Sequence, residues 1–149
     1  MNTDSGTAIS AMRLTSFTDY GLRMLMRMAS APERAFSTAE LADEFRLSRH
    51  HLTKIMQRLA GAGIVATRRG GGGGAVLARP PADIRLGEVV RLLEQGQALV
   101  ECFARDGGEC AVEGCCRLKV RLRAAEAAFL ADLDRSTLAD IALPARVAA

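Results

Sequence analysis

The sequence predicts a mainly α fold with a small β-hairpin: a winged helix-turn-helix followed by a long helix suited to self-association. Three observations predict it. Two short helical patterns are separated by only three residues, Arg46-Leu47-Ser48, which is the dimension of a helix-turn-helix. Two β-prone runs follow at once, around Arg68-Arg69 and five consecutive glycines, Gly70 to Gly74. Beyond these, Leu118, Leu122, Ala125, Phe129 and Leu133 recur at steps of three and four, a seam that fits a partner helix.

The first helix is expected over 17–31, with Leu22, Leu25, Met26 and Ala29 on one stripe and Pro32 closing it. Ser16 and Asp19 have the S-x-x-D spacing of a capping box at its start. The second spans Thr38 to Phe45, capped by Ser37 or Thr38. In the third, 49–60, Leu52, Ile55, Met56 and Leu59 fall on one side and His50, Thr53, Lys54 and Gln57 on the other. Gly61-Ala62-Gly63 stops it. Strands at 64–67 and 75–77 then form the hairpin. A fourth helix runs over 84–94, and the long one over 117–133. Ser136 is placed to cap a last short turn before Pro144. The resulting division is an extension over 1–11, a DNA-binding domain over 12–80, and a cysteine segment with a dimerisation helix over 81–149.

Composition narrows the function classes. Of 149 residues, 49% are hydrophobic and 25% charged, as in an ordinary globular protein. No apolar run reaches the length of a membrane span. The stretch before Met12 has neither the basic start nor the apolar core of a secretory signal, so a cytoplasmic location is expected, with Met12 as the functional beginning. The net charge of +3 is mild, but Arg and Lys crowd 46–69 and 117–123. With no tryptophan and one tyrosine, stacking on single strands is disfavoured.

Arg49 lies in the first turn of the third helix, where a recognition helix meets base edges in the major groove of double-stranded DNA. Arginine grips guanine with two hydrogen bonds, lysine reaches phosphate or guanine, and glutamine pairs with adenine. Arg68 and Arg69 at the base of the wing are placed for phosphates or a narrow minor groove. A polar helix face alone is weak, since many solvated helices carry one. The order helix, tight turn, helix, basic hairpin is what favours DNA.

All four cysteines, Cys102, Cys110, Cys115 and Cys116, lie within fifteen positions. Without a secretion signal, such a cluster points to metal or redox chemistry before disulfides. Thiolates are soft ligands that favour iron–sulfur clusters and zinc. Cys102-x7-Cys110-x5-Cys116 lacks the C-x-x-C pairs of a zinc knuckle, which tilts the reading towards a cluster. The long helix starts basic (Arg117, Lys119, Arg121, Arg123) and ends acidic (Asp132, Asp134), against the macrodipole preference, so a cause outside the helix is expected. An anionic cluster near its start is one explanation; a solvated basic patch, or one lying near DNA phosphate, is the other. No nucleophile–base pairing or phosphate loop is visible, so the chain is not expected to be an enzyme.

Four sets of residues carry a family resemblance. They are the run Met12-Arg13-Leu14-Thr15-Ser16-Phe17-Thr18-Asp19-Tyr20-Gly21-Leu22-Arg23; Ser48-Arg49 with His51 and Lys54; Arg69-Gly70 with Gly73-Gly74; and Cys116-Arg117-Leu118-Lys119. Together they resemble the iron–sulfur winged-helix regulators that include IscR, and within them the nitric-oxide-sensing repressors, from Met12 to about Leu143. The resemblance implies a homodimer joined through the long helix, an operator in double-stranded DNA, nitric oxide as effector, and no membrane. It implies cluster ligands at Cys102, Cys110 and Cys116, with the partner subunit's Asp19 completing the set; helix capping is the rival role for Asp19. DNA contacts carry over to Ser48, Arg49, His51, Lys54 and Arg69. A 4Fe–4S cluster is favoured over 2Fe–2S. The chain departs from the pattern in its seven-residue first gap, in Cys115 as an alternative ligand or bystander, and in Gly71 where relatives often carry a basic wing residue. The competing functions are a sensor of iron, cluster supply or redox state, and a zinc-stabilised winged-helix interaction module.

Overall fold

The computed structural model describes residues 13–70, 73–107 and 111–145. The extension over 1–11, Met12, Gly71 and Cys110 lie outside the described residues. The element order is α1 (Ser16–Ala29), α2 (Thr38–Phe45), α3 (Arg49–Gly61), β1 (Val65–Arg68), β2 (Gly74–Leu77), α4 (Leu86–Leu93) and α5 (Arg117–Leu133). Short 3-10 turns at Pro81–Asp83, Glu101–Phe103, Glu113–Cys115 and Leu138–Ile141 join and close them. The mainly α fold with one hairpin is therefore the one expected.

Local chemistry explains the boundaries, with corrections of one or two positions. Thr15, not Ser16, caps α1: its hydroxyl accepts the Thr18 N–H. Asp19 takes no part in that cap; it pairs with Arg23 one turn on, at 2.8 Å. The capping-box reading thus fails because the helix begins one residue earlier than its periodicity suggests. Ser37 caps α2 by accepting the Glu40 N–H at 3.0 Å. Thr137, rather than Ser136, caps the last turn, in a reciprocal box with Asp140.

The α2–α3 turn is closed by a residue in an unusual conformation. Arg46 has φ 56°, the left-handed region. There it lets Leu47 N–H reach the Ala42 carbonyl at 2.9 Å and Arg46 N–H that of Asp43 at 3.4 Å, the Schellman pattern. The same pattern ends α3, with Gly63 at φ 73° and bonds from Gly63 to Ala60 and Ile64 to Leu59. Arginine tolerates this geometry less well than glycine does.

The hairpin pairs Val65 with Leu77 through Arg68 with Gly74, antiparallel. Phe36 adds a third partner that sequence periodicity does not reveal: it exchanges backbone hydrogen bonds with Ala75 at 2.9 and 2.8 Å. Its backbone comes so close that a side chain on Gly74 would stand 2.5 Å from the Phe36 carbonyl oxygen. Only glycine fits there.

One core ties these elements together. Met24, Leu25 and Met28 of α1 meet Leu52, Ile55 and Leu59 of α3, with Phe36, Leu41, Ile64, Ile84, Leu93 and Leu138 filling the space between. At Gly21, α1 has a notch in which both neighbours sit: an added methyl would lie 2.5 Å from Leu93 Cδ1 and 3.2 Å from Ile55 Cγ2. Arg27 and Glu44 form the most enclosed of the described ion pairs, joining α1 to α2 at 3.0 Å with each side chain 13% exposed.

No residue of α5 is buried. It rests on α4 near its C-terminal end, where Gly87 lets the Leu130 carbonyl approach and Arg91 of α4 grips Asp134 with two bonds of 2.9 and 2.6 Å. Arg85 adds a bond to the Asp134 carbonyl at 3.3 Å. These arginines account for an acid at a helix end that the macrodipole disfavours. The bond from Arg91 and the charges of Arg91 and Arg85 hold the Asp134 carboxyl below the ordinary aspartate range.

Candidate nucleic-acid interface and cysteine segment

Helix α3 separates cleanly into two faces. Leu52, Ile55, Met56 and Leu59 are buried, whereas Arg49, His50, His51, Thr53, Lys54 and Gln57 are exposed. His51, at the flank of the helical wheel, is thus as open to solvent as His50, and the two rings lie 6.5 Å apart. Ser48 is exposed at the N-cap and makes no side-chain capping bond, so its hydroxyl is available. Thr53 is less free, because its hydroxyl donates to the Arg49 carbonyl at 2.8 Å. Arg58, on the same helix, is turned away over the Phe17 ring at 4.8 Å and braces α3 against α1.

Arg68 and Arg69 are exposed where β1 ends, beside the turn begun by Gly70 at φ 115°. Among the described residues, Arg49, Lys54, Arg68 and Arg69 make no ion pair, in contrast to Arg23, Arg27, Arg34, Arg79 and Arg91. A cation without an internal counter-charge is the group that gains most from a phosphate. The fold therefore brings the cations of α3 and of the hairpin out as an uncompensated basic surface.

The cysteine segment leaves α4 and returns to start α5. Cys116 caps α5, and its sulfur accepts the Lys119 N–H at 3.4 Å. A helix N-terminus favours a negatively charged sulfur. Cys102 sits half-buried in the Glu101–Phe103 turn, and Arg123 of α5 stacks on the neighbouring Phe103 ring at 4.2 Å. Cys115 is exposed, its thiol donating to the Val112 carbonyl at 3.7 Å. Among the described residues no three Cys, His, Asp or Glu side chains converge as a metal site; Cys110 is outside them. The donor chemistry still suits a soft-metal group: half-buried Cys102 and a Cys116 sulfur that already accepts an N–H. Asp19 is 48% exposed on α1, where its carboxylate pairs with Arg23.

One polar contact that sequence inspection missed joins the end of α4 to the start of α1. Glu94, capping the end of α4, accepts on one oxygen the Thr15 N–H at 2.8 Å, the Thr15 hydroxyl at 2.7 Å and the Thr18 hydroxyl. Burial pushes its carboxyl up, but the bonds from Thr18 and Thr15 outweigh that and hold it below its ordinary range. The fully buried Thr18 was the available signal, a polar residue inside an otherwise apolar stripe.

A family model described as "Rrf2: Iron-dependent Transcriptional regulator" matches residues 14–143. The HTH-type transcriptional regulator NsrR of Shouchella clausii is 42% identical over 133 residues, 89% of this chain and 89% of that protein. NsrR of Geobacillus kaustophilus is 44% identical over 131 residues, 87% of this chain and 89% of that protein. Both are named as regulators rather than enzymes, in agreement with the sequence expectation. Among solved structures, IscR of T. potens superposes with a TM-score of 0.69 at 26% identity, covering 93% of this chain and 94% of that one.

Proposed function

Because the chain belongs to the Rrf2 family of iron-dependent transcriptional regulators, we propose that it is a dimeric DNA-binding repressor that senses nitric oxide through an iron–sulfur cluster. Residues 12–80 bind the operator, and 81–149 hold the cluster and the dimer seam. The observation that carries the reading is the uncompensated basic face of α3 and the wing, joined to a segment where Cys116 caps α5 with its sulfur. The curated relatives named NsrR, similar over nearly the whole chain, support the nitric-oxide assignment.

In this reading Cys102, Cys110 and Cys116 are the thiolate ligands, and the partner subunit's Asp19 supplies an oxygen. That carboxylate is paired with Arg23 at 2.8 Å in this structure. When bound, the cluster supplies an iron with one non-thiolate ligand, the most open position for a small neutral attacker. A 4Fe–4S cluster is the favoured type. The chain's own part is mechanical. Cys102 and Cys116 fix the two ends of the segment against α5, Arg49 and Gln57 read base edges, Lys54, Arg68 and Arg69 meet phosphates, and Ser48, His50, His51 and Thr53 complete the contact. With the segment held, the two recognition helices of the dimer keep the separation of successive major grooves, about 34 Å. Loss of that anchorage changes the separation and releases the operator.

Leu118 and Val120 of α5, 62% and 67% exposed, lie in the region that the dimer covers. No described helix is long and apolar enough to cross a membrane, and the setting we assign is the cytoplasm. The test is anaerobic purification, followed by absorbance, iron and sulfide content, and operator affinity before and after nitric oxide. Bound iron and sulfide in wild type, their loss in Cys116→Ala, and weaker operator binding after nitric oxide are the expected results. A colourless protein, or an affinity that nitric oxide leaves unchanged, refutes the assignment. The family's description as iron-dependent favours one second reading, a response to iron or cluster supply. There, simple cluster loss releases DNA and nitric oxide has no separate effect.

A further inference from the structure

We infer that the end of α4, Leu93 with Glu94, is the joint through which the state of the cysteine segment reaches the recognition helix. The inference rests on the sensing function proposed above. Among the described residues, Glu94 is the last with a polar hold on the DNA-binding half before the chain enters the segment, eight positions ahead of Cys102. On one side its carboxylate holds three donors at the start of α1, from Thr15 and Thr18. On the other side its neighbour Leu93, 2% exposed, fills the Gly21 notch of α1 alongside Ile55 of α3.

The contacts leave little slack. A displacement of α4's last turn cannot be absorbed between Leu93 and α1, because no side chain at Gly21 separates them. Ile55 is fully buried on the inner face of α3, opposite the exposed face that carries Lys54 and Gln57. Close-packed interiors shift as units rather than deform smoothly. A pull on the chain after Glu94 therefore arrives at α3 as a change in its seating, and at α1 through Thr15 and Thr18.

The test uses the full chain, cluster-free and after anaerobic loading with iron and sulfide, as wild type, Glu94→Ala, Glu94→Gln and Thr18→Val. In cluster-free protein, Glu94→Ala is expected to speed amide hydrogen exchange about ten-fold in the first turn of α1 and around Ile55. Exchange in α2 should stay as in wild type. Glu94→Gln keeps an acceptor oxygen and is expected to restore most of the protection. If Glu94→Ala does not fold, Thr18→Val removes one of the bonds at constant shape and should give the same pattern with smaller amplitude. Faster exchange confined to α1, with α3 unchanged, overturns the joint. In loaded protein, Glu94→Ala should keep bound iron and sulfide through its three cysteines while the ratio of operator affinities, loaded to cluster-free, falls about ten-fold towards one. A wild-type ratio in that variant also overturns it. A wild type whose affinity ignores loading refutes the sensing function instead, and the exchange pattern then decides the joint.

Discussion

Replacing Arg69 by alanine tests whether the wing grips phosphate. Arg69 is exposed, lies just beyond β1, and has no ion pair among the described residues, so its removal disturbs no internal partner. Lys54 and Arg68 are likewise exposed and without an ion pair among the described residues. A dimer brings about six such cations; if all meet phosphates, log affinity falls against log salt with a slope of about −5. Arg69→Ala removes two charges per dimer, so the slope becomes shallower by about 1.8. Binding weakens about sixty-fold near 0.1 M salt and converges on wild type as salt approaches about 1 M. Fluorescence anisotropy, on a duplex selected from a random pool and titrated across salt, reads both quantities. Gln57→Ala is the control, since losing a neutral side chain lowers affinity at a constant slope. An unchanged slope in Arg69→Ala would falsify the assignment of this arginine to the DNA backbone.

Three further outcomes follow from local geometry. Arg46→Gly relieves a left-handed arginine and should raise unfolding stability by about 1 kcal/mol, read by urea denaturation; a loss would show that the Arg46 side chain matters more than its backbone. Glu44→Ala strands Arg27, 13% exposed, and should cost about 3 kcal/mol in the same assay, whereas a cost near zero would mean that Ser30 and the Phe36 ring suffice for it. Folding lowers the Glu94 carboxyl, so its stabilisation is present above its ordinary value of about 4.5 and is lost as pH falls through the folded value. The thermal midpoint should therefore drop on acidification below that point, and less steeply in Glu94→Gln; equal acid limbs would exclude Glu94 as a source.

What the sequence revealed follows from which forces act locally. The alternation of Leu52, Ile55, Met56 and Leu59 with polar neighbours assigns both faces of α3, because helical period and burial share one cause. The Gly61-Ala62-Gly63 stop and the glycine-rich hairpin were legible for the same reason: backbone conformation is written in a few adjacent residues. Capping was legible only to within a residue, since Thr15 and Ser16 offer the same hydroxyl and tertiary contact with Glu94 favours Thr15. The contacts that give the site its wiring stayed hidden. Phe36 on Ala75, Glu94 on Thr18 and Arg91 on Asp134 join residues far apart in sequence, and nothing in periodicity marks such pairs. The cysteines could be grouped by spacing, but the helix cap made by Cys116 depends on where α5 begins.

The attachment of α5 gives the molecule a lever. Its 17 residues span about 25 Å, clamped at the far end through Asp134 and Gly87, while the near end starts at the Cys116 sulfur. A tilt of about five degrees about that clamp moves the near end by about 2 Å, comparable to a single hydrogen-bond length. The Arg123 guanidinium stacked on Phe103 at 4.2 Å lies on the stretch between clamp and near end. A small change of direction at the Cys116 end is thus geared up into a displacement of the whole first half of the rod.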